Sequence, residues 1–519
     1  MLRAAALLLT CAVTALTATG CGSSASSGGG DPAGLVPAGA PIYAQAAIQP
    51  EGERREKALA AIGKIMRTDD PAGELRELID KELTEAGDGL TWEKDFAPWL
   101  GEEAGIWASD LAADVPNFAA IVQTTDVEKA RAAVQRFKET GDETFTKKSH
   151  GGVEYEVNTE GMAVGFVDDF LVLATEAAFK RTADMAEGGD ALADSDRYKD
   201  TLDDLEDDRL GNFYFDTKSL VDAALAEDPE AAQQLEQFKA FFPFDKLGPT
   251  AGSLQADGDS IAIDAITTGL PEGAVKTATA LLGGSGSELI GELPGDAWGA
   301  FAVPKVGEAA KSLFNAFAGA IGGPAVAAQL KQETGLDLEQ DVFSWIGDVG
   351  VFVRGASEAE LDGALVIQSI DDAKASAAFG KIVGLIGKEE GTKPDPVQIP
   401  GAESAFSFTT PDADKPIVLA RGSGRVVGAY GEEAAKAALS SLQKLGDSEL
   451  YGDAKDALGD AEPSLLLSMP AVITLVDAIG EADADWDKAK PYLEALNAVT
   501  SGGTVDGDKA KSRFAVTLK

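Results

Sequence analysis

The chain spells one motif twice: "DFAPWLGEEAGIWAS" at 95–109 and "DVFSWIGDVGVFV" at 341–353. Both read Asp-x-x-x-Trp-(Leu/Ile)-Gly-(acidic), with the tryptophans 246 residues apart. The echo extends outward in both directions. "LVPAGAPIYAQAA" (35–47) answers "ELPGDAWGAFAV" (292–303), and "FAAIVQTTDVEKARAAVQRF" (118–137) answers "GALVIQSIDDAKASAAFGKI" (363–382). "LADSDRYKDTLDDL" (192–205) and "LGDSELYGDAKDAL" (445–458) share seven of fourteen residues, and "ADGDSIAIDAITT" (256–268) answers "VDGDKAKSRFAVTL" (505–518). The matches are collinear, with offsets of 246, 257, 245, 253 and 249. That pattern describes a duplicated domain, because a solenoid repeats at a far shorter period.

Within one copy the apolar period switches between two and 3.6. Residues 42–48, 118–124, 211–216 and three runs within 153–175 alternate as strands, and 253–268 forms a hairpin around Asp257-Gly258-Asp259. Val127, Ala130, Val134 and Phe137 make a helical stripe behind Asp126, an N-cap residue, and 176–188 reads as a helix closed by Gly188. Short connections between strands imply antiparallel pairing. The expected fold is α+β, in two tandem copies of a mainly antiparallel sheet with packed helices. Trp92, Phe96, Trp99 and Leu100 in the first copy, and Leu338, Val342, Trp345 and Ile346 in the second, fall at i, i+4, i+7, i+8. The tryptophans therefore read as core anchors rather than a ligand platform. Gly101 and Gly347 read as turns out of the helix at positive φ, and Pro98 should end the first helix early.

The N-terminus is of a different kind. Arg3, the apolar run Ala4–Leu16 and "TATGC" ending at Cys21 have the shape of a lipoprotein signal peptide, with cleavage before a lipidated (palmitate-bearing) Cys21. "GSSASSGGGDPAG" (22–34) then reads as a flexible tether spanning on the order of 20 Å. The expected organisation is signal peptide 1–20, tether 21–34, repeat 1 at 35–270, linker 271–290 around "GGSGS", and repeat 2 at 291–519. The expected location is extracytoplasmic, anchored to the cell membrane through lipid on Cys21.

Of the two cysteines, Cys11 lies in the segment expected to be removed, which excludes an intrachain disulfide and a cysteine zinc site. The single histidine, His150, excludes a multi-histidine metal site within the chain, and its polar, Gly-rich surroundings read as an exposed loop. Nucleophile-elbow, Walker and dinucleotide motifs are absent, so no cofactor, metal or catalytic residue is assigned. The 44 Lys+Arg against 87 Asp+Glu give a charge of −43, which argues against nucleic acid as a partner. The acidic runs at 203–209 and 482–487 lack calcium-loop spacing and read as solvated faces.

"LVPAGAPIYAQAAIQPEGE" followed by "DFAPWLGEEAGIWAS" resembles the bacterial domain-of-unknown-function 3352 family, secreted lipoproteins largely of high-GC Gram-positive bacteria. The resemblance implies a cell-envelope setting and carries no established activity. The expected role is a non-enzymatic binding or scaffolding module. A carrier of lipid or other apolar ligands and a carboxylate-dependent envelope hydrolase are the alternatives.

Overall fold

The computed structural model describes residues 30–86, 90–111, 113, 115–140, 143–227, 247–273, 276–277, 286–318, 323–388, 393–409, 413–480 and 484–519. The described residues up to Gly269 form one compact unit and those from Leu270 onward form a second.

The first unit holds β1 (Ile42–Ala47), β2 (Leu100–Ser109), β3 (Asn117–Thr124), β4 (Phe145–His150), β5 (Val153–Asn158), β6 (Met162–Val167), β7 (Phe170–Thr175), β8 (Gly211–Phe215), β9 (Thr250–Ala256) and β10 (Ser260–Thr267). They pair in the order β4-β5-β6-β7-β3-β2-β1-β8-β9-β10, antiparallel throughout. The second unit holds β11 (Gly299–Val303), β12 (Ile346–Arg354), β13 (Asp362–Ser369), β14 (Asp395–Pro396), β15 (Ser404–Phe408), β16 (Ile417–Gly422), β17 (Arg425–Tyr430), β18 (Pro463–Ser468), β19 (Leu496–Asp506) and β20 (Lys509–Leu518). Their order is β14-β15-β16-β17-β13-β12-β11-β18-β19-β20, again antiparallel. Each strand of the second sheet takes the place of the strand ten earlier in the first. The α+β expectation of two tandem copies of an antiparallel sheet with packed helices holds.

Both faces of each sheet carry helices, so the central strands are buried on both sides. In the first unit, Ala119 and Ile121 of β3 join a core with Tyr43, Trp107 and Phe179 of the helix Glu176–Ala186. Ala120 and Val122, pointing the other way, join Trp92, Trp99 and the helix Val127–Thr140. Asp126 and Asp371 cap their helices alike, each accepting the backbone N–H three residues on at 3.1 Å.

The repeated motif is a clamp. In each unit a short π-helical turn, Trp92–Phe96 or Leu338–Phe343, carries a buried aspartate. Asp95 accepts the N–H of Thr91 at 2.9 Å and pairs with Arg136; Asp341 accepts the N–H of Asp337 at 2.8 Å and pairs with Lys381 at 2.5 Å. The indole N–H four residues later returns to the aspartate's own carbonyl, from Trp99 at 2.5 Å and Trp345 at 2.7 Å. Both tryptophans are 2 % exposed. The motif thus ties the turn, the sheet and the helix after β3 or β13 into one packed unit. Pro98 fits the first turn's ending at Phe96, whereas the second runs to Phe343.

Three expectations change. Gly101 and Gly347 lie within β2 and β12 rather than at a positive-φ turn. They are glycines because of close approach: a Cβ on Gly101 would sit 2.7 Å from the Gln123 side chain, and one on Gly347 would sit 2.9 Å from Ile370. The tether expected to run to Gly34 meets the fold at Asp31, which caps a 3-10 turn, Pro32–Leu35, whose Ala33 is fully buried. The linker expected to run to residue 290 meets the fold by Ser287, which caps Glu288–Glu292 and sends Leu289 and Ile290 into the second core.

Candidate functional site

A bulge in β2 builds a polar cleft in the first unit. Leu100 pairs with Thr124 and Ala104 with Val122, so β2 spends two residues more than β3 between those points. The side-chain oxygen of Gln123 accepts the freed N–H groups of Glu102 (2.8 Å) and Glu103 (3.3 Å). The same stretch of β12 is one residue shorter, Ile346 to Val349 against Ser369 to Ile367. The register therefore matches Glu103 with Asp348, and Glu102 is the extra residue.

The cleft has a volume of about 360 Å³, with Asp31, Arg54, Glu102, Glu103, Tyr198 and Arg209 among its lining residues. A hydrogen-bonded relay enters it from the core. The Tyr43 hydroxyl donates to Gln45 Oε1 at 2.9 Å, and Gln45 Nε2 donates to Glu103 Oε2 at 2.7 Å. Burial and the neighbouring Asp31 push the Glu103 carboxyl above its ordinary range, against the Gln45 hydrogen bond that lowers it. Burial, then Asp31, raises the Tyr198 hydroxyl, and burial raises that of Tyr43, so both phenols stay neutral donors. Asn212 Nδ2 donates to the Tyr198 oxygen at 3.4 Å.

This lining offers donors and acceptors together, with Asp31, Glu102, Glu103 and Asp207 outnumbering Arg54 and Arg209. It suits an amine- or hydroxyl-bearing ligand. In the second unit the matching carboxylate is already satisfied: Asp348 accepts from Ser287 Oγ at 2.6 Å and from the N–H of Lys305 at 3.0 Å. Gln45 gives way there to Ala302, its register equivalent opposite Gly350.

Cys21 lies outside the described residues. His150 ends β4 rather than sitting in a free loop, with its Nε2 2.7 Å from Asp184 Oδ1. The acidic run 203–209 contributes Asp207 to the cleft and Asp208 to an ion pair with Lys57 at 3.0 Å. Of the run at 482–487, residues 482 and 483 lie outside the described residues, and Asp485 pairs with Lys488 at 2.9 Å. Among the described residues, no cluster of three or more His, Cys, Asp or Glu could hold a metal ion, and no helix is long and apolar enough to cross a membrane. The cleft residues Asp31, Gln45 and Glu103 form no recognisable catalytic or binding motif, although Gln45 and Glu103 lie within the repeated stretches. Their one trace in the sequence is the drop in repeat offset from 246 to 245 between Trp99 and Gln123, which is the bulge itself.

A family model described as "Protein of unknown function (DUF3352)" matches residues 1–403. No curated protein sequence matches. Among solved structures, crystal form IV of TP0453 overlaps with a TM-score of 0.26 at 12 % identity, covering 46 % of this chain and 80 % of that chain. Crystal form III of TP0453 gives 0.24 at 11 % identity over the same shares. Overlap at that level carries nothing about function.

Proposed function

The chain belongs to the DUF3352 family, proteins of unknown function, and from its own residues we propose a lipid-anchored cell-envelope protein whose first unit binds a polar ligand. In this reading residues 1–20 are a signal peptide, Cys21 carries the lipid, and the tether shortens to Gly22–Gly30. The observation behind it is the place of Asp31: the cap of the Pro32–Leu35 turn, next to the Gly/Ser stretch in sequence, is also a wall of the polar cleft. A nine-residue Gly/Ser tether acting as a coil would span roughly 15–18 Å and would hold the cleft close to the bilayer surface. The carboxylate-rich lining selects a ligand with an amine and hydroxyl groups, and the charge of −43 disfavours a polyanion.

Two measurements test this. Wild-type protein should partition into detergent with a diacylglyceryl mass, and Cys21→Ser should remain unprocessed or be released. Titration with glucosamine as probe should show saturable binding that Glu103→Gln and Asp31→Asn each weaken at least tenfold. Recovery of wild-type protein cleaved elsewhere and free in solution overturns the anchor, and absence of binding overturns the ligand class. The raised carboxyl of Glu103 beside Asp31 favours one second reading, a carboxylate-dependent hydrolase. Turnover of an ester, glycoside or peptide that disappears in Glu103→Gln would replace binding with catalysis.

A further inference from the structure

The two units provide an internal control for a second site. In the second unit, the helix Asp372–Ile386 packs on the sheet through apolar side chains. The rings of Phe379 and Phe406 lie 6.3 Å apart, and Val383 is buried. Register matches Val383 with Lys138 on the first unit's helix, Ser376 with Arg131, Phe406 with Glu156 and Pro396 with Lys147. At these four positions the second unit carries Val, Ser, Phe and Pro where the first carries charges; at Phe166 the exchange runs the other way, to Arg421 paired with Glu403.

The seam in the first unit is a groove of about 660 Å³ between the helix Val127–Thr140 and strands β4, β5 and β6. Lys138 forms an ion pair with Glu156 at side-chain exposures of only 11 % and 24 %. Lys147 is the cross-strand neighbour of Glu156, so it lies on the same face of the strand pair. The Arg131 guanidinium lies 4.5 Å over the Phe166 ring, which holds it flat against the groove. The lining has four cations, Arg131, Lys138, Lys147 and Lys148, against the acids Glu128, Glu154 and Glu156. With Lys148 taken up by Glu176, three cations stand against three acids, an even balance in a chain of 44 basic against 87 acidic residues. Lys148 is engaged by Glu176 at 2.7 Å and Lys138 by Glu156, while Arg131 and Lys147 line the groove together with Glu128 and Glu154.

Half-buried ion pairs are generally no more stabilising than apolar packing of similar volume, and the second unit shows that this fold accepts the apolar solution. Retention of the charged arrangement, with an open groove beside it, needs a reason outside stability. We infer that the groove is a binding site for a small ligand bearing an anionic group, phosphate or carboxylate, seated between Arg131 and Lys147. This site is separate from the Asp31–Glu103 cleft, and neither depends on the other.

The test is calorimetric titration of the full-length protein in detergent with two probes, glycerol phosphate and glucuronate. Saturable binding of at least one probe is expected, weakening as salt rises. Arg131→Ala and Lys147→Ala should each weaken it at least tenfold, while Lys455→Ala, in the second unit, should leave it unchanged. Preference between the probes identifies the anion. The double variant Lys138→Val/Glu156→Phe installs the second unit's residues; it should fill the groove, raise the melting temperature and abolish binding. Failure of both probes to bind, binding indifferent to Arg131→Ala and Lys147→Ala, or binding undiminished in a more stable double variant overturns the inference.

Discussion

Replacing Lys381 should destabilise its clamp more than neutralising Asp341, although the two form one ion pair. The Asp341 side chain is 9 % exposed and Lys381 is 44 % exposed. Asp341→Asn leaves the lysine free to hydrate and keeps an oxygen for the N–H of Asp337, so the loss should stay within the ~0–1 kcal/mol of a half-exposed pair. Lys381→Met leaves a buried carboxylate without its cation. Removing one partner of a buried pair costs about 3–5 kcal/mol, and the surviving Asp337 N–H hydrogen bond trims that to roughly 2–4 kcal/mol. Burial pushes the Asp341 carboxyl up, but the Asp337 N–H and the Lys381 ammonium hold it below the ordinary range. A depressed folded value means the stabilisation is complete above the unfolded carboxyl's pKa of about 3.9 and fades as pH falls through the folded value. The penalty of Lys381→Met should begin to shrink at a higher pH than that window, because Asp341 without the ammonium takes up its proton more readily, and should vanish below the wild-type folded value. The indole N–H of Trp345, buried and bonded to the Asp341 carbonyl, reports opening of this turn directly. Its hydrogen exchange at neutral pH should accelerate roughly 30- to 1,000-fold in Lys381→Met, at about 1.4 kcal/mol per tenfold. In Lys381→Met/Asp341→Asn it should return close to the Asp341→Asn rate. Exchange in Lys381→Met no faster than in Asp341→Asn would refute the argument that burial asymmetry sets the energetics.

Gly101→Ala places a methyl 2.7 Å from Gln123 and should displace the side chain that caps the bulge, lowering stability by about 1–3 kcal/mol in chemical denaturation and weakening any ligand held by Glu103. Glu176 is bound by Lys148 and Lys180, which lower its carboxyl pKa to about 2. Its contribution is therefore full above the unfolded value of about 4.3 and is lost as pH falls toward 2; an acid titration of Glu176→Gln should be flatter than wild type between those values.

The duplication, the hairpins and the capped helices were legible because each rests on local chemistry repeated in sequence. Asp126 and Asp371 announce their helices by the same cap, and β9 and β10 turn at Asp257-Gly258-Asp259 as a short polar turn requires. The helix Gly323–Thr334 was harder to read for a physical reason. Among its described residues only Gly323, which has no side chain, is buried, so packing demands no apolar stripe there. Gly101 and Gly347 were misread because a glycine beside a Trp turn suits either a positive φ or a close strand approach. Only the register of β2 on β3, and of β12 on β13, decides between them.

The candidate site was illegible for a different reason. Asp31, Gln45, Glu103 and Tyr198 are spread over 168 residues and meet only because β1 lies beside β2 and the Pro32–Leu35 turn packs over Gly105. What the duplication supplies is a way to weigh such features. A residue that both units keep in one role, such as Trp99 and Trp345, is explained by packing alone. A polar residue that one unit carries where the other is apolar needs another explanation: Gln45 against Ala302 in the cleft, Lys138 against Val383 and Glu156 against Phe406 in the groove. These three differences surround two openings in the first unit, while the second unit has exchanges of its own, Arg421 for Phe166 and Arg425 for Phe170, each in an ion pair. Each unit therefore serves as a control for the other: an exchange that leaves a polar side chain beside an opening, as at Lys138 and Gln45, points to a ligand, and one closed by an ion pair, as at Arg425 with Glu292, points to packing.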